Sequence, residues 1–130
     1  MTVRRLIQTG SSYEKEVGFS RAVILDGWVY VSGTGGFEYS TMSISDDVVE
    51  QADQCLQNVE NALAEAGCTF ADVVRVRYLL PDAKDFPKCW PTLRRAFGDV
   101  LPAATMFECG VADPRMKFEI EVDAKIPAEK

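Results

Sequence analysis

The chain has 130 residues, 47% of them hydrophobic and 26% charged, a length and composition that suit one folded domain and exclude a disordered segment. Its net charge of −6 repels phosphate backbones and argues against general nucleic-acid binding. With no histidine present, a Ser-His-Asp triad, a Cys-His pair and a Cys/His zinc site are excluded within the chain, so neither metal nor cofactor is expected.

The first segment, Arg4-Arg5-Leu6-Ile7, opens like a targeting peptide, but Gln8-Thr9-Gly10 interrupts it before an apolar run forms. No stretch reaches membrane-spanning length, which predicts a cytoplasmic protein with no membrane partner. Residues Val3 to Ile7 read as a short strand and Gly10 to Gly18 as loop. Two β-rich runs follow, Ala22–Leu25 and Trp28–Val31. They flank Asp26-Gly27, a strong hairpin signal. The second run ends in Ser32-Gly33-Thr34-Gly35-Gly36, which lacks the lysine and spacing of a phosphate-binding loop.

From Ser43 to Ala66 the apolar residues Val48, Ala52, Cys55, Leu56, Val59, Ala62 and Leu63 recur at helical spacing. Ser43 or Ser45 is expected to cap this helix, and Gly67 to end it. Val73–Leu80 reads as a strand. A second helix over Asp85–Phe97 puts Phe86, Trp90, Leu93 and Phe97 on one face, with Pro91 expected to kink it or delay its start. Ala103–Cys109 and Lys117–Ala124 read as the last two strands, joined through Asp113-Pro114. In the last, Phe118, Ile120, Val122 and Ala124 alternate with Lys117, Glu119, Glu121 and Asp123. The order β-β-β-α-β-α-β-β predicts an α+β fold, a mixed sheet with two helices on one face. Its other face would be covered by oligomerisation. Cys55, Cys68, Cys89 and Cys109 stand singly and are expected as buried thiols.

Arg75 and Arg77 share one strand face, as do Glu119, Glu121 and Asp123. Two readings remain open: a ladder of cross-strand ion pairs, or a charged cluster that holds a polar ligand or orients water.

Taken together, Val29-Tyr30-Val31-Ser32-Gly33, Gln54-Cys55-Leu56-Gln57-Asn58-Val59, Ala64-Glu65-Ala66-Gly67, Pro102-Ala103 and Glu119-Ile120-Glu121 resemble, in order and spacing, the RidA/YjgF family. That resemblance implies a chorismate-mutase-like subunit and a homotrimer with small-molecule clefts between subunits. Its best-understood members hydrolyse enamines and imines to 2-oxo acids and ammonia, and older descriptions call members endoribonucleases. It also implies roles: Glu119 orienting a catalytic water, with Phe19, Ser32, Gly33 and Ala104 at the ligand site. Trp90, Thr105 and Met106 are further ligand-binding candidates. The chain departs from the pattern at Pro102-Ala103-Ala104, where deaminases carry Pro-Ala-Arg and the arginine clamps the substrate carboxylate. Phe19 likewise replaces a tyrosine. Arg21 and Arg75 are the candidates to replace the lost cation. Two functions follow: hydrolysis of an imine-like metabolite other than the usual 2-imino acids, or non-catalytic metabolite binding.

Overall fold

The computed structural model describes residues 3–128. Short strand β1 (Arg5–Ile7) leads through one π-helical turn (Glu14–Gly18) into β2 (Ala22–Leu25) and β3 (Trp28–Gly35). Asp26 and Gly27 take φ values of 54° and 79° between them, the doubly left-handed turn whose twist matches the strands it joins. A small hairpin, β4 (Phe37–Glu38) with β5 (Ser43–Ile44), was not foreseen; it precedes α1 (Val48–Glu65). Then come β6 (Val73–Leu80), α2 (Phe86–Phe97), the edge strand β7 (Ala103–Glu108) and β8 (Glu119–Lys125).

Six strands form one sheet in the order β1-β2-β3-β8-β6-β7. Only β6 and β7 pair in parallel, because α2 provides the crossover between them. The sheet is therefore mixed, with both helices on one face, as the apolar spacing predicted. Alternation along β8 divides the two sides: Ile120, Val122 and Ala124 are fully buried beneath the helices, while Glu119, Glu121 and Asp123 face away. Burying a side chain such as Phe118 or Ile120 contributes about 1.5–3 kcal/mol each. On the uncovered face Tyr30 and Phe107 remain 45% and 46% exposed.

Two expectations about the helices need correction. Asp47 caps α1, its carboxylate accepting from the Glu50 N–H, while Ser45 Oγ accepts from the Asp47 N–H one turn earlier and Ser43 lies in β5. Nor does Pro91 delay α2, which runs unbroken from Phe86. The amide that proline lacks would have met the carbonyl of Pro87 in the first turn, so one intrahelical bond is forgone near an end that frays anyway. No helix is long and apolar enough to cross a membrane among the described residues.

Gln51 anchors α1 to the sheet's loops. Its buried amide donates to the carbonyls of Ser45 (2.6 Å) and Arg115 (2.9 Å) and accepts from the Lys117 N–H (2.7 Å). Asn58, further along the helix, donates to the carbonyls of Gly35 and Phe37. These two amides satisfy backbone groups of the β3–β4 junction, the segment before α1 and the segment before β8. Gln51→Leu keeps the volume but strands three backbone groups. It should cost about 2–4 kcal/mol, read as a lower denaturation midpoint, whereas the exposed Asp53→Ala should leave the midpoint unchanged.

Candidate functional site

Arg21 precedes β2, and its side chain turns inward until the residue is only 3% exposed. The β3–β8 ladder shifts register between Val31 and Thr34, a bulge that takes Gly33 out of regular pairing. Arg21 Nη1 uses that break: it donates to the Gly33 carbonyl (2.7 Å) and to Thr34 Oγ1 (3.0 Å). Glu14, buried on the π-helical turn, stands 3.6 Å from Arg21 Nε. The rings of Phe19 and Tyr39 each lie 5.4 Å from the guanidinium carbon. Such contacts favour a cation that has lost its water.

Glu119 begins β8 and points away from the Phe118–Ile120 layer, over Gly33. Any Cβ at position 33 would overlap Glu119 Oε1, so the carboxylate occupies space that only glycine leaves open. Its oxygens make no hydrogen bond among the described residues. Burial pushes its pKa up, against the opposing attraction of Arg21, with Glu121 adding to the rise.

Phe19, Arg21, Gly33 and Glu119 line a cavity of about 200 Å³ together with Tyr13, Phe37, Tyr39 and Met116. One wall is latched. Tyr13 donates its hydroxyl proton to Asp113 (2.5 Å), which Arg115 grips through Nε (3.1 Å) and Nη2 (2.9 Å). The Arg115 guanidinium in turn sits 5.2 Å over the Phe37 ring. This network ties the N-terminal turn to the loop before β8.

Of the residues singled out in the sequence, Phe19, Arg21, Gly33 and Glu119 meet in this cavity. Ser32 lies just outside it, its hydroxyl committed to the Ser20 carbonyl (2.7 Å). Trp90 and Ala104 come together elsewhere, in an apolar pocket of about 270 Å³ between α2 and β7 walled by Tyr78, Phe86, Leu93 and Phe97. Met106 packs against the core. Thr105 points to the other side of β7, in register with Arg77. Arg75 is exposed and makes no ion pair among the described residues, whereas Arg77 bridges to Glu121 (2.7 Å) and Asp123 (3.7 Å). The cross-strand ladder thus exists at Arg77, and Glu119 is not one of its rungs. Sequence reasoning missed Tyr13, Glu14 and Tyr39, which sit on irregular segments where no periodicity marks an inward side chain.

The fold defines a chorismate-mutase-like α+β protein, and it carries this carboxylate-lined cavity. The family profile described as Endoribonuclease L-PSP matches residues 9–126. A Homo sapiens protein named 2-iminobutanoate/2-iminopropanoate deaminase is 32% identical over 123 residues, covering 94% of this chain and 90% of its own. Among solved structures, a Mycobacterium tuberculosis member of the YjgF/YER057c/UK114 family is 35% identical with a TM-score of 0.86, covering 95% of this chain and all of its own. The YjgF gene product of E. coli is 26% identical with a TM-score of 0.82, covering 93% of this chain and 98% of its own. The chain belongs to the RidA/YjgF family.

The raised pKa of Glu119 has a measurable sign. Its folded value lies above the unfolded one, so the ionised carboxylate is a burden. That burden is absent at low pH, sets in as pH rises past the unfolded value and is complete above the folded one. Glu119→Gln should therefore melt at or above wild type near pH 7, with the difference vanishing by about pH 4. Parallel thermal melts across that range check it.

Proposed function

We propose that the chain hydrolyses a small imine or enamine other than 2-iminopropanoate and 2-iminobutanoate, as a homotrimer with its sites at subunit clefts. The observation that carries this reading is Glu119: a partly buried carboxylate without a hydrogen-bond partner among the described residues, held over Gly33 beside a buried cation. The deaminase names of relatives about one-third identical support the reaction class. In the step itself, the water oxygen adds to the imine carbon while Glu119 takes one water proton and passes it to the imine nitrogen, giving a carbinolamine. Glu119 then takes the remaining hydroxyl proton as C=O forms and delivers it to the nitrogen as the C–N bond breaks. The balance is C=N plus water giving C=O plus ammonia or an amine. A carboxylate whose pKa is raised by burial holds a proton more readily than a solvated one, which suits both halves of that exchange.

Substrate choice follows from Ala104. Alanine offers no fork for a carboxylate, and the pocket around it is aromatic and aliphatic, with Arg94 as the cation among its lining residues. The trimer is supported by the uncovered sheet face, where Tyr30 and Phe107 are nearly half exposed. A trimer would also let the Trp90–Ala104 pocket of one subunit complete the Glu119 cavity of the next. The expected ligand is a small metabolite, with no role for nucleic acid.

Ammonia release from imines generated in situ tests the reaction. Glu119→Gln should reduce turnover at least about tenfold, about 1.4 kcal/mol, with assembly intact. Unchanged turnover would remove Glu119 from the mechanism. On 2-iminopropanoate the wild type should be slow and Ala104→Arg faster, because the fork is restored. Sedimentation equilibrium should give about three times the 14.4 kDa chain mass. A monomer at micromolar concentration would overturn the cleft.

A further inference from the structure

Two side-chain polar atoms are buried without a hydrogen-bond partner among the described residues: Arg21 Nε and Tyr39 Oη. Both residues line the Glu119 cavity. A buried donor without a partner is costly, and native chains keep few of them. Arg21 Nε faces Glu14 at 3.6 Å, away from the cavity lining, so the orphan that belongs to the cavity is the Tyr39 hydroxyl, and it points to a partner that arrives with a ligand. The charges of the cavity narrow what that ligand is. Arg21 is already matched by Glu14 at 3.6 Å, with both side chains 4% exposed, and its Nη1 is committed to Gly33 and Thr34. The charge left over is the carboxylate of Glu119. A ligand carboxylate would add a second anion to a space with little water to screen it.

We infer that Tyr39, with Arg21 and Glu119, selects a neutral ligand in which a nitrogen lies next to a carbonyl oxygen. Amide-, ester- or ketone-conjugated imines and enamines fit; 2-imino acids do not. The carbonyl oxygen accepts from the Tyr39 hydroxyl, which a small side-chain adjustment brings onto it, on the side of the cavity held positive by Arg21. The nitrogen faces Glu119. Tyr39 is a specificity-determining residue on this account, and it does no proton chemistry. Burial holds its phenol protonated, with a pKa pushed up to about 12, so it stays a donor at any working pH. The inference rests on the imine-hydrolase reading for the ligand's nitrogen, while the preference for a neutral oxygen rests on Tyr39, Arg21 and Glu14.

The probes are 2-oxopropanamide and 2-oxopropanoate, stable molecules of nearly one shape that differ in carrying an amide or a carboxylate. Titration calorimetry on the whole chain should show the amide binding at least about tenfold tighter than the acid. Tyr39→Phe should weaken the amide at least about fivefold while leaving the acid unaffected. Its melting temperature should stay equal or rise, because the change removes an unpartnered hydroxyl. A variant that keeps wild-type affinity for the amide overturns the inference. So does a wild type that binds the acid as well as the amide, or binds neither. The two proposals fail separately. Amide binding that depends on Tyr39, without ammonia release from any imine, refutes hydrolysis and leaves the clamp. Glu119-dependent ammonia release with no preference for the amide refutes the clamp alone.

Discussion

A buried guanidinium cannot be left to itself, and the site is organised around satisfying Arg21. Removing an ion from water costs several kcal/mol unless charge and hydrogen bonds replace what the water supplied. Here the replacement comes from three directions. Glu14 provides the counter-charge from the N-terminal turn, Gly33 and Thr34 provide acceptors from β3, and Phe19 and Tyr39 provide ring faces. The turn is thereby held against the sheet, and the Gly33 carbonyl freed by the bulge is used instead of wasted. The cavity wall is a consequence of the ion's requirements.

Rigidity behind that wall comes from α1. Gln51 and Asn58 reach out of an otherwise apolar helix face to hold five backbone groups, most of them on the segments flanking the cavity. Gly36 closes the same seam: a Cβ there would come within 2.6 Å of the Gln51 carbonyl. Interiors packed this closely move as units, so Glu119 emerges from β8 at a defined height above Gly33. The proposed role of Glu119 as a general base depends on that precision more than on strength.

Against the family pattern, the chain keeps the carboxylate, the Ser-Gly strand end and the fold, and alters the charge around the ligand. The arginine position is Ala104, set in an apolar pocket. A different arginine, Arg21, lies on the Glu119 side, but it arrives with Glu14 as its counter-ion. Replacing an unpaired clamp by an internally neutral pair does not restore affinity for an anion. It leaves a positive edge without a net positive charge, the basis of the proposed preference for dipolar ligands over charged ones.

Much of the fold was legible before any coordinates. Helical spacing in α1, strict alternation in β8 and Asp26-Gly27 at the hairpin are local patterns, and local patterns follow from a period of 3.6 or 2 and from turn sterics. The departure at Ala104 was legible too, because it needs only a motif to compare with. Tertiary structure alone decided which candidates meet. Arg21 lies beside β2 and Arg75 within β6, yet the first is buried in the cavity and the second exposed, because register and the β3 bulge put only Arg21 next to Glu14 and Gly33. Strand alternation already set Ala104 and Thr105 on opposite faces, but only the fold brought Ala104 into a pocket with Trp90 and away from Glu119. The inward turn of Glu14 and Tyr39 comes from irregular segments shaped by contacts with distant residues, and no short-range rule encodes such contacts.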